Sequence, residues 1–271
     1  MPDVSASPSA PHDRRPDLPL QRPPRHPHAW WICLIASQAL VAWLWWRFGT
    51  TIGLPAMLAS HAPFWWGTLR PYSALFGPVL TQLPIATREV WLTIDDGPSD
   101  DTLAILDLLD AHGAKATFFL VGERAAQRPE LVRELLRRGH DVGNHSFSHP
   151  ARTFWALGPA RMRREIADTQ RTLADIAGAP PRWFRAVVGM CNPFAQAPLR
   201  AHALTRVAWS ARGFDGVAAD PAQVVARIEK NLRPGAIVLL HEGAAHGGNL
   251  ETIRLLLQRL DAWGYRGVLP R

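Results

Sequence analysis

Short apolar runs alternate with stretches of helical periodicity from Glu89 to the end of the chain. The apolar runs predict strands at Val90–Ile94, Ala116–Val121, Asp141–Gly143, Trp183–Arg185, Arg206–Trp209 and Ala236–Leu240. The periodic stretches predict helices at Thr102–Ala111, Glu130–Arg138, Pro159–Ala177, Pro221–Leu232 and Leu250–Trp263. Glycines stand where four of these elements should end, at Gly113, Gly139, Gly178 and Gly264. This alternation implies a parallel sheet, either open or closed into a barrel.

Residues 29–47 form a long apolar stretch ahead of this region. No acidic or basic residue occurs between Ala29 and Trp46, and tryptophans lie at both ends of the run. Such a run predicts a transmembrane helix. The alternative is a signal peptide, but no Ala-x-Ala cleavage site follows and a long tail precedes the run. That tail, residues 1–28, is rich in Pro, Ser, Arg and His, and its composition predicts disorder.

Residues 48–87 leave the membrane topology open. The part from Phe48 to Leu69 is uncharged and contains two prolines, so it predicts either a second, kinked span or an interfacial segment. Arginines in the tail, at Arg14, Arg15, Arg22 and Arg25, favour a cytoplasmic N-terminus. One span then places the rest of the chain outside the cytoplasm, whereas two spans return it. We expect one span in a bacterial inner membrane, with the remainder in the periplasm.

The charge balance adds one further indication of a membrane. The chain has 30 basic and 23 acidic residues, a net charge of +7. Its arginines are scattered and not interleaved with aromatic residues as a basic stripe, which argues against a nucleic-acid partner. Attraction to anionic lipid head groups fits the excess better. The two cysteines, Cys33 and Cys191, are far apart and form no metal or redox motif.

Polar side chains follow the predicted strands where those strands end. In parallel α/β folds the reactive groups lie at these carboxyl ends. Two adjacent carboxylates repel one another unless a cation or a proton intervenes, although an aspartate there could instead cap the next helix. Two histidines four residues apart, in a loop because a proline follows, could bind one metal together with an aspartate. The candidate residues are Asp95, Asp96, His145, His149, Arg185 and His241.

Taken together, these clusters resemble the NodB-homology domain of the polysaccharide deacetylases, carbohydrate esterase family 4. The family's motifs occur here in order as TIDDG, HSFSH, RAVVG, a degraded fourth motif and LLH. The resemblance covers roughly two thirds of the chain, and we place the domain at residues 88–271. It implies a distorted, partly open (β/α) barrel behind the N-terminal transmembrane segment.

The resemblance also implies a role for each candidate residue. Asp96, His145 and His149 would hold a divalent metal, typically zinc. Asp95 would be the general base, oriented by Arg185, and His241 the general acid. The backbone N–H of Val188 would help to stabilise the oxyanion. The implied activity is hydrolysis of an N-acyl group, typically acetyl, from amino sugars of a polysaccharide or a lipid-linked glycan.

Two positions depart from the family's pattern. Val187 stands where the family has proline, which removes a φ constraint and frees an N–H. Arg212 stands where the family has the aspartate that tunes the acid histidine, with Asp215 as a stand-in. An arginine beside His241 would lower the pKa of that histidine. The alternatives are therefore a deformylase or deacetylase of a polyprenyl-linked sugar, or a catalytically weak, metal-containing glycan-binding protein.

Overall fold

The computed structural model describes residues 29–270. The tail at residues 1–28, which we predict to be disordered, lies outside the described residues. The helices are α1 (Ala29–Phe48), α2 (Thr50–Leu69), α3 (Thr102–Ala111), α4 (Gly122–Gln127), α5 (Pro129–Arg137), α6 (Pro159–Ala177), α7 (Gln196–Ala201), α8 (Pro221–Glu229) and α9 (Asn249–Ala262). The strands are β1 (Glu89–Gly97), β2 (Ala116–Leu120), β3 (Asp141–Asn144), β4 (Trp183–Phe184), β5 (Thr205–Arg206), β6 (Ala211–Arg212), β7 (Ile237–His241) and β8 (Arg266–Gly267).

All the strand pairs in this sheet are parallel, as the alternation of strands and helices predicts. The strand order is β5-β4-β3-β2-β1-β7-β6, and β8 pairs with the start of β1. Residues ahead of β1 fill part of the gap between β5 and the other side of the sheet, where β7 and β6 lie. Leu80 bridges to Val207, just after β5, and Gln82 bridges to Ala236, just before β7. The fold is therefore a curved, partly open (β/α) barrel.

The differences from the sequence prediction fall on the shortest elements. The strand predicted at Arg206–Trp209 is wrong beyond its beginning, because pairing with β4 ends at Arg206, Val207 makes only an isolated bridge, and strand β6 begins later, at Ala211. Strand β8 and helix α4 have too few residues to show a periodicity. The four glycines predicted at helix ends all have positive φ, which residues other than glycine rarely adopt.

The central strands are buried on both faces, as expected for a parallel sheet. Between the sheet and the helices lies the larger core, with Leu92 and Ile94 of β1 among its members. Inside the curve lies a second core built on Trp91 and Trp183, whose ring centroids are 4.9 Å apart. Leu83 belongs to that inner core, so the packed unit includes residues that precede residue 88.

Helices α1 and α2 form an antiparallel hairpin. Gln38 donates a hydrogen bond to the hydroxyl of Ser60 (3.1 Å), and a Cβ at Gly53 would lie 2.5 Å from the Trp45 ring, so the helices pack closely near the turn. Among the described residues, α1 alone is long and apolar enough to cross a membrane. Helix α2 has the same length, 20 residues, but contains Pro55 and Pro63.

The chain that follows the hairpin packs on the barrel. The carbonyl of Thr68 accepts a hydrogen bond from the N–H of Cys191 (3.1 Å), and the carbonyl of Ser73 accepts one from Arg206. Tyr72 meets the ring of Trp209 edge to face at 6.0 Å. These contacts attach the hairpin to the strand ends that carry the candidate residues.

Candidate active site

The structure brings all six candidate residues to one end of the barrel. Each lies in the last part of β1 or β7 or in the segment that follows β3 or β4, and these strands are neighbours except that β2 separates β1 from β3. The register places Asp95 opposite His241, and Asn144 opposite Phe184, the residue before Arg185. The cleft above them has a volume of about 330 Å³ and is lined by five of the six, all except the buried Arg185, together with Trp209, Leu239 and Arg212.

Asp96, His145 and His149 could hold a metal ion, since one ligand atom from each lies within 4.8 Å of the others, and we call them the cation-binding set. Oδ1 of Asp96 lies 3.3 Å from Nε2 of His145 and 3.0 Å from Nε2 of His149. Asp96 and His149 have φ values of 71° and 47°, and such a backbone is found for residues other than glycine mainly where a side chain must be held in place. His149 lies in a loop, as the following proline predicts.

The donor atoms of this set fit a divalent cation. Nδ1 of His145 lies 2.9 Å from the carbonyl oxygen of Arg185, which can only accept, so Nδ1 carries a proton; in the neutral imidazole that a cation needs as a ligand, the Nε2 lone pair then faces Asp96. Oδ1 of Asp96 is buried and accepts no hydrogen bond of good geometry. Burial alone would raise the pKa of Asp96, but the two imidazoles hold it well below its usual range. A lone pair facing a carboxylate oxygen across a short gap is the arrangement that a cation relieves.

Asp95 and Arg185 form a buried ion pair beside this set. Nη1 of Arg185 donates to Oδ1 of Asp95 at 2.7 Å and to Oγ1 of Thr93 at 2.8 Å. Its guanidinium carbon lies 4.2 Å from the centroid of the Phe119 ring. Burial lowers the pKa of Arg185, and Asp95 opposes that effect. The Arg185 side chain is fully buried, so this ion pair is not at the rim of the cleft.

His241 is paired with Asp215. Oδ1 of Asp215 lies 2.9 Å from Nδ1 of the imidazole, and Oδ2 accepts the backbone N–H of His241 at 2.6 Å. Burial would lower the pKa of His241, but Asp215 outweighs it and raises the pKa to about 9. Nδ1 therefore donates to Asp215, which leaves Nε2 as the nitrogen free to face the cleft.

The expectation that Arg212 lowers the pKa of His241 is wrong. Its guanidinium carbon lies over the rings of Phe214 and Trp209, at 4.0 and 5.2 Å from their centroids. The stand-in, Asp215, instead reaches the imidazole because the chain turns back after β6.

Two buried glutamates that the sequence analysis missed hold the loops of the site. Glu165 of α6 accepts the backbone N–H groups of Phe147 (3.0 Å) and Ser148 (2.8 Å), and so fixes the loop between the two histidines. Glu242 accepts from the hydroxyls of Ser99 (2.7 Å) and Thr102 (2.5 Å), and so ties β7 to the turn after β1. The sequence could have indicated Glu242, because it directly follows the candidate residue His241. Nothing in the helical pattern of α6 distinguishes Glu165.

The turn after Arg185 forms one wall of the cleft. Val188 lies at its tip with φ 55°, and Val187, in the position of the family's proline, is buried below it. A side chain at Gly189 would place its Cβ 2.5 Å from the Trp209 ring and 2.8 Å from Pro71. Glycine is therefore required for this turn to approach Trp209.

This chain is similar to known deacetylases and carbohydrate esterases. The polysaccharide deacetylase family matches residues 84–207. The chitooligosaccharide deacetylase of Bradyrhizobium sp. (strain ANU 289) is 36% identical over 163 residues, 59% of this chain and 74% of the relative. The peptidoglycan-N-acetylglucosamine deacetylase of Bacillus cereus is 32% identical over 216 residues, 77% of this chain and 74% of the relative. A family 4 carbohydrate esterase from Streptomyces lividans, solved in complex with acetate, has a TM-score of 0.62 at 34% identity and covers 68% of this chain and 94% of that one.

These relatives are matched over most of their own length. The part of this chain that the family matches runs from just before β1 to just after β5 and contains five of the six candidate residues, all except His241. The sequence motifs, the fold and the grouping of the candidate residues therefore all agree with the same family. The chain belongs to the polysaccharide deacetylase family, the family 4 carbohydrate esterases, and is a hydrolase of non-peptide carbon–nitrogen bonds.

Proposed function

We propose that this chain removes the acetyl group from N-acetylated amino sugars of a glycan, with a divalent cation as cofactor. The observation that carries the proposal is the convergence of the cation-binding set with the pairs Asp95–Arg185 and His241–Asp215 at one end of the barrel. The names of the two relatives, which refer to chitooligosaccharide and to peptidoglycan N-acetylglucosamine, support this class of substrate.

Asp96, His145 and His149 would hold the cation. Zinc is the ion that the resemblance to the family leads us to expect, and one carboxylate with two imidazoles leaves coordination positions open for water and substrate. When bound, the ion polarises the acyl carbonyl and acidifies a water molecule at the site. The protein orients one of the imidazoles in advance through the hydrogen bond from His145 to the carbonyl of Arg185.

Asp95 would act as the general base. Arg185 binds Oδ1, and Oδ2 lies 3.8 Å from Nε2 of His145, next to the cation-binding set. This carboxylate is therefore placed to take a proton from a water molecule that attacks the acyl carbon. Arg185 fixes its orientation and keeps the buried carboxylate compensated.

His241 would act as the general acid. With a pKa of about 9, its imidazole is protonated at neutral pH and carries a proton for the leaving sugar amine. Water supplies the hydroxyl that stays with the acetate. After each turnover Asp95 holds one extra proton and His241 lacks one. Transfer of a proton through solvent from Asp95 to His241 restores both groups.

Two further elements of the cleft complete the proposal. The N–H of Val188, at the tip of its turn, would donate to the oxyanion. The apolar wall formed by Trp209 and Leu239 fits the methyl of an acetyl group. The formyl group of a deformylase substrate would leave that wall uncovered, so acetyl is the better fit.

A membrane location supports the second candidate substrate, a lipid-linked saccharide. The hairpin of α1 and α2 exposes large apolar side chains along its length, including Trp46 and Leu58. Such a surface favours the bilayer, where a polyprenyl-linked sugar or a nascent exopolysaccharide is available.

The test uses the full-length chain, purified in detergent and loaded with one equivalent of Zn²⁺. Acetate release from a chitin pentamer is measured, and bound zinc is determined by mass spectrometry. Asp95→Asn should bind zinc as the wild type does and lose at least about a hundredfold in kcat. His145→Ala should lose both zinc and turnover. His202→Ala, at the end of α7 outside the site, is the control and should change neither.

Two results would count against the proposal. If the wild type releases no acetate from any N-acetylated oligomer with any divalent metal, the proposed deacetylase function is wrong and the glycan-binding alternative is favoured. If Asp95→Asn keeps full turnover, the assigned base is wrong.

A further inference from the structure

Arg212 carries a charge that the described protein does not balance. It is partly exposed and lines the cleft, and it is the only lysine or arginine among the lining residues. No described carboxylate lies within 4.0 Å of its guanidinium group. Its contacts are with the faces of Phe214 and Trp209 instead. These rings hold the guanidinium by cation–π interaction and leave its N–H groups unpaired.

The sheet register places this charge close to the reaction. Arg212 of β6 is opposite Leu239 of β7, and His241 is two residues further along the same strand. Side chains two residues apart on a strand point to the same face. The side chain of Arg212 therefore shares the inner face of the barrel with Leu239 and with the acid histidine.

The carboxylates of the site cannot serve as partners for Arg212, because each is already paired. Asp95 binds Arg185 at 2.7 Å, and Asp215 binds His241 at 2.9 Å. Asp96 belongs to the cation-binding set. Any further negative charge near Arg212 must come from the molecule in the cleft.

We propose that Arg212 binds an anionic substituent of the substrate, so that the preferred substrate is an N-acetylated amino sugar that carries a carboxylate or a phosphate. The inference rests on the proposed deacetylase function and adds the charge of the substrate to it. A guanidinium group matches both oxyanions, because its parallel N–H groups can donate to two oxygens at once. The stacking on two rings fixes the orientation of that fork before the substrate arrives.

The test compares neutral and anionic substrates on the zinc-loaded full-length chain. The neutral substrate is the tetramer of N-acetylglucosamine. The carboxylate substrate is a tetramer that alternates N-acetylglucosamine with N-acetylmuramic acid, and the phosphate substrate is N-acetylglucosamine 1-phosphate. The wild type should show a kcat/KM at least about tenfold higher on one anionic substrate than on the neutral one. The better of the two anionic substrates identifies the source of the charge.

Three variants separate recognition from structure. Arg212→Gln should lower the anionic-to-neutral ratio of kcat/KM at least about tenfold, mainly through KM. Arg212→Lys keeps the charge and should restore part of the ratio, although it lacks the planar fork. Arg227→Gln is the matched control, because Arg227 donates to the carbonyl of Gly213 next to Arg212 but does not line the cleft. It should leave the ratio unchanged.

The outcomes distinguish the two proposals. If the wild type deacetylates the neutral tetramer and Arg212→Gln changes all substrates by the same factor, the anionic preference is overturned while the deacetylase function stands. If the wild type prefers an anionic substrate and this preference disappears in Arg212→Gln, the inference is supported. If the wild type turns over none of the three, both proposals fail.

Discussion

The contact between His241 and Asp215 determines the alkaline limit of the proposed reaction. The pKa of His241 is raised from 6.5 to about 9, although burial acts in the opposite direction. Asp215 is the largest of the groups that raise this pKa, ahead of Asp95 and Asp96, and the net increase is worth roughly 3 kcal/mol. Replacing Asp215 by asparagine removes the charge and keeps an oxygen that can accept the backbone N–H of His241.

The size of the effect follows from the protonated fraction of the imidazole. At pH 8 a group of pKa 9 is about 90% protonated, whereas a group of pKa 6.5 is about 3% protonated. Because the acid must carry its proton, kcat/KM of Asp215→Asn at pH 8 should be at least about thirtyfold below that of the wild type. At pH 6.5 the gap should shrink to roughly twofold, since both imidazoles are then mostly or half protonated.

The assay is acetate release from the chitin pentamer by zinc-loaded protein between pH 6 and pH 10. The control is Asp220→Asn, which removes the same charge from the exposed N-terminal cap of α8. It should retain the alkaline limit of the wild type. The reasoning is refuted if Asp215→Asn loses activity by one factor at every pH, because the alkaline limit then does not belong to His241.

Two further predictions concern stability, measured by urea unfolding of the full-length chain in detergent. Arg185→Met should lower the free energy of unfolding by about 3–5 kcal/mol, because it leaves Asp95 buried without its partner; a loss below about 1 kcal/mol would contradict the buried ion pair. Gly143→Ala should cost about 1–3 kcal/mol, because the new Cβ would lie 2.6 Å from the Phe119 ring. Gly158→Ala, where nothing lies within 4 Å, is its control, and equal effects of the two would show that the packing at Gly143 is loose.

The residues that do the proposed chemistry could be predicted because each belongs to a short, contiguous motif at the end of a strand. Asp95 and Asp96 are adjacent, and His145 and His149 are four residues apart, so the local sequence alone holds them near one another. The rule that parallel strands present their carboxyl ends at one edge then brings the motifs together. That reasoning needs no knowledge of side-chain packing.

The parts that could not be predicted depend on contacts between distant segments. Asp215 reaches His241 across 26 positions of sequence through the turn after β6, a strand of two residues that exists only through its pairing with β7. Sequence position within the fourth motif therefore predicted Arg212, and not Asp215, as the neighbour of His241. Glu165 likewise reaches the histidine loop from the middle of α6, and nothing in a helical pattern marks such a contact.

The passage from α2 to the barrel bears on how a glycan could be presented to the cleft. Pro71 lies against the turn at Gly189, and Tyr72 against Trp209, both of which line the cleft. A long flexible tether would let a catalytic domain sample many heights above a bilayer. This packed connection would instead hold the cleft at one height above a membrane that contains the hairpin, and the proposed deacetylation would then be confined to a narrow layer at a fixed distance from that membrane.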